Sequence, residues 1–151
     1  MARVLVIGTG NPLRGDDGFG LRLAAALAER LPAGQAEVIA TVQLTPELAE
    51  AMSGAERALF LDCRDGAPPG RLEVTPVRLR NECAPALSHH LEASALLHAA
   101  AALYGRAPEA ALLTVTGADF AFGTGLSPAV QAAFPGAVEH AAALIGDWLR
   151  R

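Results

Sequence analysis

The sequence predicts a single-domain, three-layer α/β/α sandwich on a mostly parallel, twisted sheet of about five strands. Three observations predict it. Short aliphatic runs alternate with alanine-rich helical segments along the chain; the first run is apolar at every position, as a strand buried on both faces is; and the first run gives way to glycine and the third to an acid. With 151 residues, 52% of them hydrophobic and 19% charged, the chain carries enough aliphatic surface to offset the entropy cost of ordering one core.

The elements follow in order. Val4 to Ile7 is the first strand, closed by the loop Gly8-Thr9-Gly10-Asn11-Pro12. From about Asp17 to Leu31 apolar residues recur at helical spacing, with Leu23, Leu27 and Leu31 on one stripe and Leu31-Pro32-Ala33-Gly34 as the stop. Glu37 to Thr41 reads as a second strand. Thr45 then offers a cap, Pro46 a first-turn proline and Glu47 an acid for a helix through about Met52. Arg57 to Asp62 is a third, buried strand, and Leu72 to Val77, after the Pro68-Pro69-Gly70 turn, a fourth that could be antiparallel. A helix from about His89 or His90 to Leu103 ends at Tyr104-Gly105. Ala110 to Thr116 is the fifth strand, and Ser127-Pro128 opens a helix to the C-terminus.

Composition excludes several classes of function. The formal charge is −4 and the pI about 5.5, so there is no basic field to bind a nucleic-acid backbone or an anionic membrane. All twelve basic residues are arginine, which carries little functional weight. No apolar run approaches a membrane span, and Met1 to Gly8 is too short for a signal-peptide core. Cys63 and Cys83 lack finger or CxxC spacing, which argues against structural zinc or a disulfide scaffold. The expectation is a cytoplasmic protein with neither nucleic-acid nor membrane partners.

Functional groups in such folds gather at the carboxyl ends of the strands. Asp16 and Asp17 follow the first strand, Asp62 ends the third, and His89 and His90 lie where a helix start could come over the same edge. Carboxylate oxygen and neutral imidazole nitrogen suit divalent zinc, nickel or manganese, and three protein ligands leave a position open. Each residue also has a plainer role open to it. Either Asp16 or Asp17 can cap a helix, Asp62 can hold a loop, and the paired histidines can be polar residues of a first turn. His98 and His140, on alanine-rich helical patterns, read as surface or packing residues, and Cys63 as a small buried apolar one. There is no GxSxG elbow, HExxH helix or Walker phosphate loop. Gly8-Thr9-Gly10 suggests a dinucleotide turn, but Leu13 stands at the third glycine position and Asp16-Asp17 would repel phosphate.

Taken whole, the stretch from Val4 through Gly8-Thr9-Gly10-Asn11-Pro12-Leu13-Arg14-Gly15-Asp16-Asp17-Gly18-Phe19-Gly20 resembles the opening signature of the hydrogenase maturation protease family. Leu59-Phe60-Leu61-Asp62 is similar to that family's third strand, Ser88-His89 to its histidine before a leucine-rich helix, and Asp119-Phe120 through Ser127-Pro128 to its late loop and last helix start. The resemblance implies one domain over residues 1–151 with endopeptidase activity, and a metal-binding and catalytic triad of Asp17, Asp62 and His89. A one-residue shift would exchange His89 for His90; His89 keeps Leu91 and Leu96-Leu97 in the family's register. The implied metal is divalent, nickel supplied by the substrate, with zinc or cadmium able to substitute. The implied partner is the precursor of a hydrogenase large subunit, cut once to remove a short C-terminal peptide. Asp16 is left to cap a helix or to support the metal site from behind. The chain departs from the pattern at Thr41-Val42-Gln43-Leu44-Thr45, where many members carry a Gly-Gly-Thr loop. That departure keeps a second function in view, a non-catalytic metal-sensing or chaperone-like binder of the same fold; a nucleotide-binding α/β domain is a third.

Overall fold

The computed structural model describes residues 3–78 and 88–151, with the side chains of residues 88–91 outside the description. Strands β1 (Val4–Thr9), β2 (Ala36–Thr41), β3 (Arg57–Arg64), β4 (Leu72–Val77) and β5 (Glu109–Thr116) form one sheet in the order β2-β1-β3-β5-β4. β1 pairs in parallel with β2 and β3, and β3 with β5; β4 runs antiparallel at the edge, the orientation its sequence had left open. Helices α1 (Phe19–Arg30), α2 (Ala49–Gly54), α3 (Ser88–Tyr104) and α4 (Pro128–Leu149) cover the sheet. Among the described residues no helix is long and apolar enough to cross a membrane.

The pleat of the central strands sorts their side chains into two cores. Val4, Val6, Leu59, Leu61, Leu113 and Val115 pack with Phe19, Leu23 and Leu27 of α1 and with Val130, Ala141, Ile145 and Trp148 of α4. Leu5, Ile7, Ala58, Phe60 and Leu112 face the other way, onto Met52 of α2 and Ala93, Leu96, Leu97 and Ala100 of α3. Strands apolar at every position are therefore those with a helix layer on each face, and each buried leucine or isoleucine contributes roughly 1.5–3 kcal/mol. Pro76 is accommodated because β4 is an edge strand.

Three boundaries differ from expectation. β3 continues two residues beyond Asp62, because Asp62, Cys63 and Arg64 pair with Thr114, Val115 and Thr116. Asp16 and Asp17 lie in a separate 3-10 turn, Gly15–Gly18, and Gly18 rather than an acid occupies the α1 cap position. Thr45 precedes a second 3-10 turn, Pro46–Leu48, without making a side-chain cap hydrogen bond.

The strand order defines where a ligand can approach. From β1 the chain crosses through α1 to β2 on one side and then through α2 to β3 on the other, so the connections diverge between β1 and β3. α3 leads directly into β5 and so runs against it. Its N-terminal half, including Glu92 and Leu96, packs at Leu44-Thr45-Pro46, just beyond the carboxyl end of β2. The first turn of α3 thus belongs to the same edge as the β1/β3 divergence.

Candidate active site

At the end of β1 the backbone turns sharply. Gly10 has φ +146°, and a Cβ built there would collide with the backbone oxygen of Asp17. Gly20 at the start of α1 allows an equally close approach, since a Cβ would stand 2.5 Å from the Leu61 carbonyl oxygen in β3. Two glycines of the opening motif therefore bring Asp17 over the strand ends. The Asp17 Oδ2 accepts a hydrogen bond from the Asn11 amide at 2.8 Å, and the Asn11 Oδ1 accepts one from the Leu13 amide at 2.9 Å. Asp17 stays partly exposed, with carboxylate surface available to a ligand.

Asp16 points the other way and is fully buried. Its Oδ2 accepts from the amides of Ala118 at 2.7 Å and Asp119 at 3.0 Å and from the Ser127 hydroxyl at 2.7 Å; its Oδ1 accepts from the Ser127 amide at 2.7 Å. Burial alone would raise its pKa, but these hydrogen bonds outweigh that cost and hold the carboxyl below its ordinary value. Asp16 is an ionised tie between the 3-10 turn and the loop that enters α4.

Asp62 is 7% exposed and its Oδ1 accepts from the Cys63 amide at 2.8 Å. It shares the sheet face of Ala58 and Phe60, the face that α3 covers. Cys63 points to the opposite face, 1% exposed. Burial pushes its thiol pKa far up, and the negative charges of Asp16, Asp62, Asp17 and Asp65 push it further. The same field marks the carboxyl edge as a concentration of acids, and it removes Cys63 from consideration as a nucleophile, since a thiol must ionise to attack.

No protein-family model and no curated protein sequence matches the chain. Solved structures do. A hydrogenase 2 maturation peptidase from a Thaumarchaeota archaeon is 29% identical with a TM-score of 0.73, covering 95% of this chain and 98% of that one. The nickel-iron hydrogenase maturation protease HybD of Thermococcus kodakarensis is 27% identical with a TM-score of 0.73, over 94% and 98% of the two chains. The chain is similar in sequence and in fold to hydrogenase maturation proteases over nearly its whole length. The hydrogenase maturating endopeptidase HybD of E. coli, at 24% identity and a TM-score of 0.77 over 96% and 93%, has the same fold.

The opening motif carries Asp17 and strand β3 carries Asp62 at one edge of the sheet; the side chains of His89 and His90 lie outside the described residues, as Cys83 does. Among the described residues no three histidine, cysteine, aspartate or glutamate groups are arranged to hold a metal ion. Asp17 and Asp62 supply carboxylate oxygens of the kind a borderline divalent ion accepts. Neither acid caps α1, against expectation; Asp16 is tied instead to Ser127, the residue that precedes α4. Sequence reasoning did not find Ser127 as its partner or the backbone amides of Ala118 and Asp119; the serine before Pro128 was the one available signal, read only as a helix start.

Proposed function

We propose that the protein is the endopeptidase that recognises nickel in the precursor of a nickel-iron hydrogenase large subunit and removes its C-terminal peptide, working in the cytoplasm. What supports the reading is the similarity to hydrogenase maturation proteases, together with Asp17 in the turn after β1 and Asp62 on β3 level with the end of β1, where the strand connections diverge. On this reading the metal is part of the substrate, and Asp17, Asp62 and His89 are its ligands on the protease side, with zinc or cadmium as possible replacements in vitro. Two anionic oxygens and a neutral imidazole form a donor set suited to a borderline divalent ion and leave positions for the precursor's own ligands. Binding there would hold one peptide bond of the tail against the carboxylates. A carboxylate on that edge takes the proton from the attacking water, and the departing amine takes a proton as the C–N bond breaks.

The test is mass spectrometry of a nickel-loaded precursor before and after incubation. Wild-type protein shortens it at a single position; Asp17→Asn, Asp62→Asn and His89→Ala slow that by about a hundredfold or more. Normal processing by all three variants overturns the assignment of ligands. A precursor that binds but stays at full length with wild-type protein favours the binder instead.

A further inference from the structure

A pocket lies beside the acids, on the face of the sheet that α3 covers. Leu44 and Pro46, from the segment after β2, form one wall, and Ala95, Leu96 and Ala99 of α3 form the other, around a cavity of about 190 Å³. That is smaller than the roughly 300–1,000 Å³ of sites that hold whole small molecules, and it suits one long side chain. Glu92 also lines the pocket, is exposed, and makes no hydrogen bond or ion pair among the described residues. The cavity thus combines apolar walls with one carboxylate on its solvent side.

The charge of its walls has one sign. They belong to residues 31–56 and 88–105, which contain glutamates, among them Glu47 beside Pro46, but no arginine or lysine. Arginines of neighbouring elements turn away from it. Arg57 and Arg106 sit at the amino ends of β3 and β5, and Arg78 follows β4 at that same end of the sheet. At the carboxyl edge, Arg64 reaches across β5 to Glu73 of β4 at 3.4 Å, and Arg14 stands over Phe122 in the loop after β5. What completes such a pocket is an aliphatic stem that ends in a cation, the side chain of lysine or arginine. The stem loses water against Leu44, Pro46 and Leu96 while the head meets Glu92.

The position of the pocket selects which residue of a peptide enters it. β2 and β3 are separated by β1, so two strand spacings, or about 10 Å, lie between them. An extended peptide crosses that distance in about three residues at roughly 3.3 Å each. A tail held at Asp62 therefore reaches the pocket with a residue two or three positions from the bond that is cut.

We propose that the pocket between Leu44 and Glu92 is a specificity subsite for a lysine or arginine of the precursor's tail, about two or three residues from the scissile bond. The proposal rests on the peptidase reading above, and its test separates the two. Each arginine and lysine of the tail is replaced in turn by glutamate in nickel-loaded precursor, and binding and processing are measured with wild type, Glu92→Gln, Glu92→Arg and Ala95→Phe. Glu92 and Ala95 are exposed, so the variants keep the wild-type Tm. Glu92→Gln raises Kd and KM about fivefold with kcat within about twofold, and Ala95→Phe, which fills the pocket, raises them about tenfold. One precursor replacement, near the cut, weakens binding to wild type by at least as much, and Glu92→Arg restores that pair to within about threefold of the original. Kd and KM within about twofold of wild type for both Glu92→Gln and Ala95→Phe overturn the proposal. So does a tail with no arginine or lysine near the cut, and so does a fall in kcat at unchanged KM, which would make Glu92 part of the cutting site. If wild type binds the precursor and cuts it nowhere, the peptidase reading falls, and the charge exchange read in Kd still decides the subsite: rescue by Glu92→Arg supports it, and no rescue overturns it.

Discussion

The carboxylate of Asp16 accepts two hydrogen bonds from Ser127, one from its amide and one from its hydroxyl, each at 2.7 Å. Ser127 is the residue that precedes α4, yet its hydroxyl does not cap that helix. It donates instead to an acid near the other end of the chain. The negative charge this sets at the N-terminus of a 22-residue helix opposes the helix dipole. It also joins the loop after β1 to the loop after β5, the two segments that frame the candidate site.

Removing that carboxylate leaves buried donors without acceptors. Asp16→Ala is expected to cost on the order of 3 kcal/mol in urea denaturation. Asp16→Asn should cost nearly as much, since its amide nitrogen would face groups that themselves donate. A loss below about 0.5 kcal/mol in both would show that water or a rearranged loop replaces the tie.

The same tie sets an acid limit. The Asp16 pKa is lowered from 3.8 in the folded protein by its hydrogen bonds from Ser127, Ala118 and Asp119, against the raising effect of burial. A depressed folded pKa gives stability that is present above the unfolded value and lost as pH falls through the folded one. Wild type should therefore lose stability faster than Asp16→Asn on acidification below 3.8. Denaturation midpoints measured from neutral pH downward check it; parallel curves for the two proteins would contradict the assignment.

The alternation of strands and helices was legible because β1, β3 and β5 are buried on both faces, which forces unbroken aliphatic runs such as Val4 to Ile7. Asp62 was expected at the strand-end edge because it directly follows the run Ala58 to Leu61, and Asp17 because it lies in the loop between the first strand and the first helix. The continuation of β3 through Cys63 and Arg64 was not, because those residues look like loop until β5 is alongside. Nor was the pairing of Asp16 with Ser127, which lies 111 residues away across a segment without period. The pairing of Arg14 with Phe122 carries no sequence signal, since only the ladder at Gly123 brings the two segments together.

Gly10 offers a test of how Asp17 is held. Gly10→Ala combines an unfavourable φ of +146° with a collision at the Asp17 carbonyl, so the turn must shift. The expected cost is about 1–3 kcal/mol in stability, with processing slowed roughly a hundredfold as Asp17 moves. Gly125→Ala is the control: a Cβ there meets nothing within 4 Å, and both readouts should stay at wild-type levels. Full processing by Gly10→Ala would mean that the close approach at Asp17 has no part in activity.

Cys63 sits among the acids without joining their chemistry. Its thiol is 1% exposed, and its pKa is driven up first by burial and then by the charges of Asp16, Asp62, Asp17 and Asp65. It stays protonated at neutral pH, and alkylating reagents have no route to it. Iodoacetamide treatment of the native protein followed by peptide mapping should find Cys63 unmodified, and reaction only after denaturation. Cys63→Ala should process the precursor at the wild-type rate and lose about 1–2 kcal/mol of stability from the small cavity beside Leu61, Leu113 and Val115. A folded Cys63→Ala protein that no longer cuts the precursor would return the thiol to the mechanism, against the field that now keeps it neutral.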